Sequence, residues 1–175
     1  MTYLHAKLIT SIIFLIPGIV ALAAPKAAAQ IALKFPRHKT VGRVLSAFGF
    51  IWAAAIIYFV PLDFLMKFQI PIVILLLVSI PLSWKWMPDL LAARALGGLW
   101  CLIPAPVLVA SRFADGEGRL IIVSLMYLIA VAGMISTFSP YYLRDALAWV
   151  ARPPVGRIRT AGVILTVFGF LALAA

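Results

Sequence analysis

The side chains able to do chemistry in this 175-residue chain are few and scattered. Asp63, in Val60-Pro61-Leu62-Asp63-Phe64, is followed four residues later by Lys67. An ionisable group at membrane depth is by default a candidate for proton or ion handling, but this pair sits at the end of an apolar run and reads as interfacial. The acidic loop Asp115-Gly116-Glu117-Gly118 offers two carboxylates and few other oxygen donors. That is a poor calcium set, and the loop reads as a tight turn. Asp89, Asp145 and His38 are the groups available for acid-base work on one side of the chain, and His5 falls on the other, so the two histidines cannot share a metal or haem. Cys101 is single and lies in an apolar stretch, where a thiol acts as a small buried hydrophobe. No nucleophile-base-acid set or glycine-rich phosphate loop is present in the sequence. The expectation is a protein that is not an enzyme, with no catalytic, cofactor or metal residues.

Composition explains the sparseness. With 65% hydrophobic and 11% charged residues and a mean hydropathy of +1.14, the chain lacks the polar surface of a water-soluble globule. A hydrocarbon core about 30 Å thick takes roughly 20 apolar residues per helix. Apolar runs at Leu8–Ala24, Val44–Met66, Ile70–Trp84, Ala95–Ser111, Leu120–Phe138 and Ala161–Ala175 therefore predict six spans. Continuous runs without alternation indicate helices rather than barrel strands. The fold class is all-α, a polytopic bundle in one integral membrane domain over 1–175. Pro17, Pro61, Pro71, Pro104 and Pro106 fall within or near the spans and are expected to kink them. The first thirty residues also have the outline of a secretory signal, with Lys7, an apolar run and Ala27-Ala28-Ala29. A retained helix is the preferred reading, because the spacing from Gly18 to Pro25 returns as Gly133 to Pro140.

That recurrence belongs to a larger repeat. Arg37-His-Lys39-Thr-Val-Gly42-Arg-Val-Leu-Ser46-Ala-Phe-Gly49-Phe is matched by Arg157-Ile-Arg159-Thr-Ala-Gly162-Val-Ile-Leu-Thr166-Val-Phe-Gly169-Phe. Arg94-Ala-Leu-Gly97-Gly98 is a weaker third candidate. The chain is accordingly expected to contain two, or with the middle copy three, parallel helical hairpins, at about 8–66, 70–111 and 120–175. Each is a helix, a proline (Pro25, Pro81 or Pro140), a basic segment and a second helix. In the first segment Lys26, Gln30 and Lys34 form one stripe and Ala27, Ile31 and Phe35 another, the pattern of an interfacial amphipathic helix. Ser139 is placed to cap a similar helix entered through Pro140.

The basic residues orient this architecture. Lys26, Lys34, Arg37, Lys39, Arg43, Lys85, Arg94, Arg144, Arg152, Arg157 and Arg159 fall on one side of six spans, and Lys7, Lys67, Arg112 and Arg119 on the other. Cytoplasmic loops collect Lys and Arg, so both termini are predicted outside. The net charge of +10 then implies contact with anionic lipid headgroups, through all but Lys85 of the larger group. Nucleic acid is not an expected partner, because no aromatic stacking surface accompanies the charge. Gly42, Ser46, Gly49, Gly97, Gly98, Gly162, Thr166 and Gly169 are expected to form small-residue strips for close helix packing.

The last hairpin, with Ser139-Pro140 near its start and Arg157, Arg159 and Gly162 opening its second helix, resembles small YjeT-like bacterial inner-membrane proteins. The resemblance implies a multi-pass protein of the bacterial inner membrane and no particular reaction. The functional expectation is an accessory or structural subunit that packs with other membrane proteins, with itself or with lipids. The alternative is a small transporter for a hydrophobic or lipid-like substrate.

Overall fold

A computed structural model describes residues 3–59, 68–87, 89–112, 118–153 and 156–174. These residues form an all-α bundle with six helices long and apolar enough to cross a membrane. The spans are α1 (Tyr3–Ala23), α3 (Lys39–Phe59), α4 (Gln69–Trp86), α5 with α6 (Leu91–Leu102 and Pro104–Ser111), α7 (Gly118–Phe138) and α9 (Gly156–Ala174). Between spans lie α2 (Pro25–Lys34), a 3₁₀ turn at Phe35–Arg37, and α8 (Pro140–Ala151). Asp63, Lys67, Pro61, Asp115 and Glu117 lie outside the described residues.

The spans α3, α5 and α9 start several residues earlier than their apolar runs, at Lys39, Leu91 and Gly156. Their first turns carry Lys39, Arg94, Arg157 and Arg159, whose long stems cover apolar surface while the charge stays at the interface. The fourth span breaks between Leu102 and Pro104. Pro104 and Pro106 have no N–H to return to the carbonyls of Trp100 and Leu102. Ile103 nonetheless keeps helical angles, so the apolar column continues. α2 and α8 start at their prolines as expected, but Ser139 makes no side-chain capping bond. The first turn of α8 is entered instead through backbone, with the Tyr142 N–H donating to the Ser139 carbonyl at 3.1 Å.

Close contacts set the directions. Leu15 meets Gly169 and Ala21 meets Gly162, so α1 and α9 run antiparallel. Gly97 meets Thr137, and Cys101 meets Gly133, so α5 and α7 do the same. Gly42 meets Ala92 and Gly49 meets Leu99, which makes α3 and α5 parallel. α4 returns antiparallel along α3. It is tied at one end by Gln69, whose Nε2 donates to the carbonyls of Ile57 (3.0 Å) and Tyr58 (2.7 Å). At the other end Trp84 Nε1 donates to Ser46 Oγ at 2.9 Å. α2, α8, the 3₁₀ turn and the start of α5 gather at one end of the bundle.

The apolar core lies toward the opposite end, where Ala6 of α1, Val107 of α6 and Ile122, Met126 and Ile129 of α7 are buried together. Ile12, Ile16 and Ile19 of α1, Val163 and Val167 of α9, and Leu128, Val131 and Ile135 of α7 are exposed. Outward apolar faces are what a bilayer solvates. α4 is the limiting case: none of its described residues is buried, and it makes little contact with anything but α3. Trp84→Phe, which removes the indole donor and keeps the ring, should lower stability by about 0.5–1 kcal/mol, measured by denaturant titration in detergent micelles.

Candidate functional site

Three features could carry a function, and the first is a pair of glycine seams. A methyl group on Gly18 of α1 would come within 2.5 Å of Thr166 Oγ1 and 3.1 Å of the Gly162 carbonyl of α9. On Gly97 of α5 it would come within 2.7 Å of Thr137 Oγ1 and 2.9 Å of the Gly133 carbonyl of α7. The seams have the same chemistry, a glycine laid against a Gly-x-x-x-Thr step. In each step the threonine hydroxyl donates back to its own glycine carbonyl, at 2.8 Å for Thr166 and 2.9 Å for Thr137. Lipid offers helices no hydrophobic drive to associate, so close backbone approach must supply the attraction. One seam joins the first span to the last, α1 to α9, and the other joins α5 to α7.

The residues expected to pack do so unequally. Gly42 backs onto the start of α5, where a methyl group would reach 2.8 Å from Ala92 N. Gly162 and Gly169 sit against Ala21 and Leu15, at 3.0 Å and 2.5 Å. Gly49 is looser, with Leu99 at 3.6 Å. Gly98 was expected in the packing set and instead faces open space, with nothing within 4 Å of an added methyl group. One residue along a helix turns the side-chain direction by about 100°, which carries Gly98 off the seam that Gly97 occupies. Ser46 is buried, donating to the Arg43 carbonyl at 3.0 Å and accepting from Trp84. Cys101, expected to be buried, is exposed. Its sulfur borders Gly133, and its thiol points toward the Ala130 carbonyl at 3.9 Å. Gly18, Gly133 and Thr137 were missed as packing residues, although the recurrence of Gly18 and Gly133 at one distance from a proline was a usable signal.

The second feature is the basic end. Lys26, Lys34 and Arg37 on and just after α2, Lys39 and Arg43 opening α3, Arg94 in α5, Arg144 and Arg152 at α8, and Arg157 and Arg159 opening α9 all lie at the end where α2 and α8 meet. Aromatic rings accompany them. The Arg157 guanidinium lies 5.0 Å from the Trp149 ring centroid and that of Arg43 lies 6.0 Å from Trp84, within cation–π range. Arg144 pairs with its neighbour Asp145 at 2.7 Å. Tyr141 and Tyr142 stand with ring centroids 4.4 Å apart. The Tyr142 hydroxyl, and then Ser139, holds the Tyr141 hydroxyl below the usual tyrosine range, while Tyr141 pushes Tyr142 above it. His38 accepts from the Val41 N–H through Nδ1 at 3.3 Å, so its imidazole caps α3. Among the described residues, no three of His, Cys, Asp and Glu come together.

The third feature is a cavity of about 530 Å³ between α3, α4 and α5, with Thr137 and Phe138 of α7 lining it near the basic end. Its wall is apolar, including Leu45, Phe50, Leu76 and Leu102, with Gly98 opening onto it and Arg94 at its basic end.

The fold and these features define a multi-pass α-helical membrane protein. Comparison with protein-family models, with curated proteins and with solved structures gives no match for the chain.

Replacing the seam glycines tests the packing directly. Gly18→Leu and Gly133→Leu should each cost about 1–3 kcal/mol, the range for overpacking a tight contact. Gly98→Leu should leave stability within about 0.5 kcal/mol of the parent. Thermal unfolding in detergent, followed by circular dichroism, distinguishes the three.

Proposed function

We propose that this chain is a non-enzymatic subunit of the bacterial inner membrane, packing with other membrane proteins or lipids, with both termini outside the cytoplasm. The carrying observation is how the bundle uses its buried hydroxyls. Thr10, Ser11, Ser111 and Ser136 each donate to the backbone carbonyl four residues back, at 2.7–2.8 Å. Thr137 and Thr166 do the same in the seams. Among the described residues, hydroxyls satisfied on their own helices leave no line of free polar groups along the interior, and close seams favour a fixed scaffold. Among the described residues, the charged side chains of the spans fall within two turns of a helix end, as anchoring residues do. In both seams a glycine of a descending helix, Gly18 or Gly133, meets a glycine of a rising helix, Gly162 or Gly97, which supports the hairpin-repeat reading with Arg94-x-x-Gly97 standing as the middle copy.

A second reading is a small transporter for a hydrophobic or lipid-like substrate, favoured by the apolar cavity beside α4. Two measurements separate the readings. The tagged chain at native expression should run on a blue-native gel in a complex with other chains in fixed stoichiometry. Proteoliposomes of the purified chain should flip fluorescent phospholipids no faster than empty vesicles. A solitary chain with rapid lipid flipping would favour the transporter. For orientation, a phosphatase reporter fused after Trp86 should be inactive and one fused at the C-terminus active; the reverse pattern would invert the topology.

A further inference from the structure

We infer that the cavity between α3, α4 and α5 holds one acyl chain of an anionic phospholipid, whose phosphate sits on Arg94. The inference deepens the lipid half of the proposed function and does not depend on the protein partners.

Arg94 carries the argument. It stands in the first turn of α5 and lines the cavity. Its Nη1 reaches only the Met87 sulfur, at 3.7 Å, a weak acceptor. Its Nε is buried and has no hydrogen-bond partner. No carboxylate among the described residues pairs with it. A buried guanidinium donor without an acceptor is costly. The acceptor that best fits a planar fork of N–H donors is a carboxylate or a phosphate. The protein offers few carboxylates at this end, and the surrounding Lys and Arg favour an incoming anion.

The cavity supplies the other half of an amphiphile site. From Arg94 to Leu102 the wall runs eight residues, about 12 Å at a helical rise of 1.5 Å. That is close to the depth of one leaflet in a hydrocarbon core about 30 Å thick. A volume near 530 Å³ falls within the roughly 300–1,000 Å³ of ordinary ligand pockets, which are mainly apolar with a few placed polar groups. The chain can enter sideways, because α4 is fastened to α3 by Gln69 and Trp84 and makes little contact with α5. A charged end at interface depth joined to an apolar bay one leaflet deep, open between two helices, matches a phospholipid rather than a free anion or a neutral oil.

The test is native mass spectrometry of the full-length chain in detergent, titrated with phosphatidylglycerol, phosphatidylcholine or diacylglycerol. One phosphatidylglycerol should bind per chain, about tenfold more tightly than diacylglycerol, as a charge-assisted contact would give. Arg94→Gln should remove that preference and Arg94→Lys should keep most of it. Gly98→Leu, which grows into the cavity from a position with free space, should weaken all the lipids while helicity and monodispersity stay unchanged. A photoreactive group in the acyl chain should label α3, α4 and α5 in the parent protein, a readout that requires no variant to fold. Labelling confined to other helices, an Arg94→Gln protein that keeps its preference, or binding abolished by excess inorganic phosphate alone would overturn the site. Assembly with other subunits on the blue-native gel is a separate readout, so failure of the lipid site leaves that measurement standing.

Discussion

Between helices immersed in lipid, water-driven burial is no longer the force that holds a bundle together, and association rests on how closely backbones can approach. Here that approach is made along two seams, Gly18 against Gly162 and Thr166, and Gly97 against Gly133 and Thr137, with Gly42 against Ala92 as a third close point. The threonines matter as much as the glycines. Each hydroxyl is anchored to its own helix, so the neighbouring glycine meets a satisfied oxygen rather than a donor in search of a partner. The apolar core at Ile122 and Met126 fills the far end of a bundle whose geometry these seams set.

The seams also explain the chain's connectivity. α1 and α9, the first and last spans, pair with each other, while α7 pairs with α5. The helices joined through α2, α1 and α3, thus make little contact and those joined through α8, α7 and α9, only a modest one, while α2 and α8 meet each other at one end of the bundle. The basic residues of these connecting segments are collected at one end by the same arrangement, so the charge map and the packing map describe one topology.

Much of this was legible in the sequence and some was not. Span number and helical class follow from the length of the apolar runs, because the bilayer leaves the backbone few alternatives. The amphipathic segments beginning at Pro25 and Pro140 follow from stripes of Lys and Arg beside Ile, Leu and Phe. Which helices touch was not legible. Gly97 and Gly98 are adjacent and chemically identical, yet one lies in a seam and the other on a cavity, and only the rotation of α5 against α7 decides between them. Cys101 looked buried because its neighbours in sequence are apolar, a signal that cannot separate protein interior from lipid. Gln69 lies just before an apolar run and gave no sign that it would fasten α4 to α3.

The contrast between α4 and the two paired descending helices, α1 and α7, shows how the cavity arises. Gly18 and Gly133 each stand seven residues before a proline, Pro25 and Pro140; seven before Pro81 stands Ile74. Ile74 is turned outward and exposed, so this position contributes no close backbone contact of the kind that Gly18 and Gly133 make. α4 lies along α3 alone, with hydrogen bonds from Gln69 and Trp84 near its two ends. Gly42, the counterpart of Gly162 in the phrase, has no descending glycine to meet and backs onto α5 at Ala92. Gly49 and Gly98, small residues with slack around them, are left to line the space. One seam's worth of close packing is missing from this part of the bundle, and the cavity occupies the side where α4 does not close.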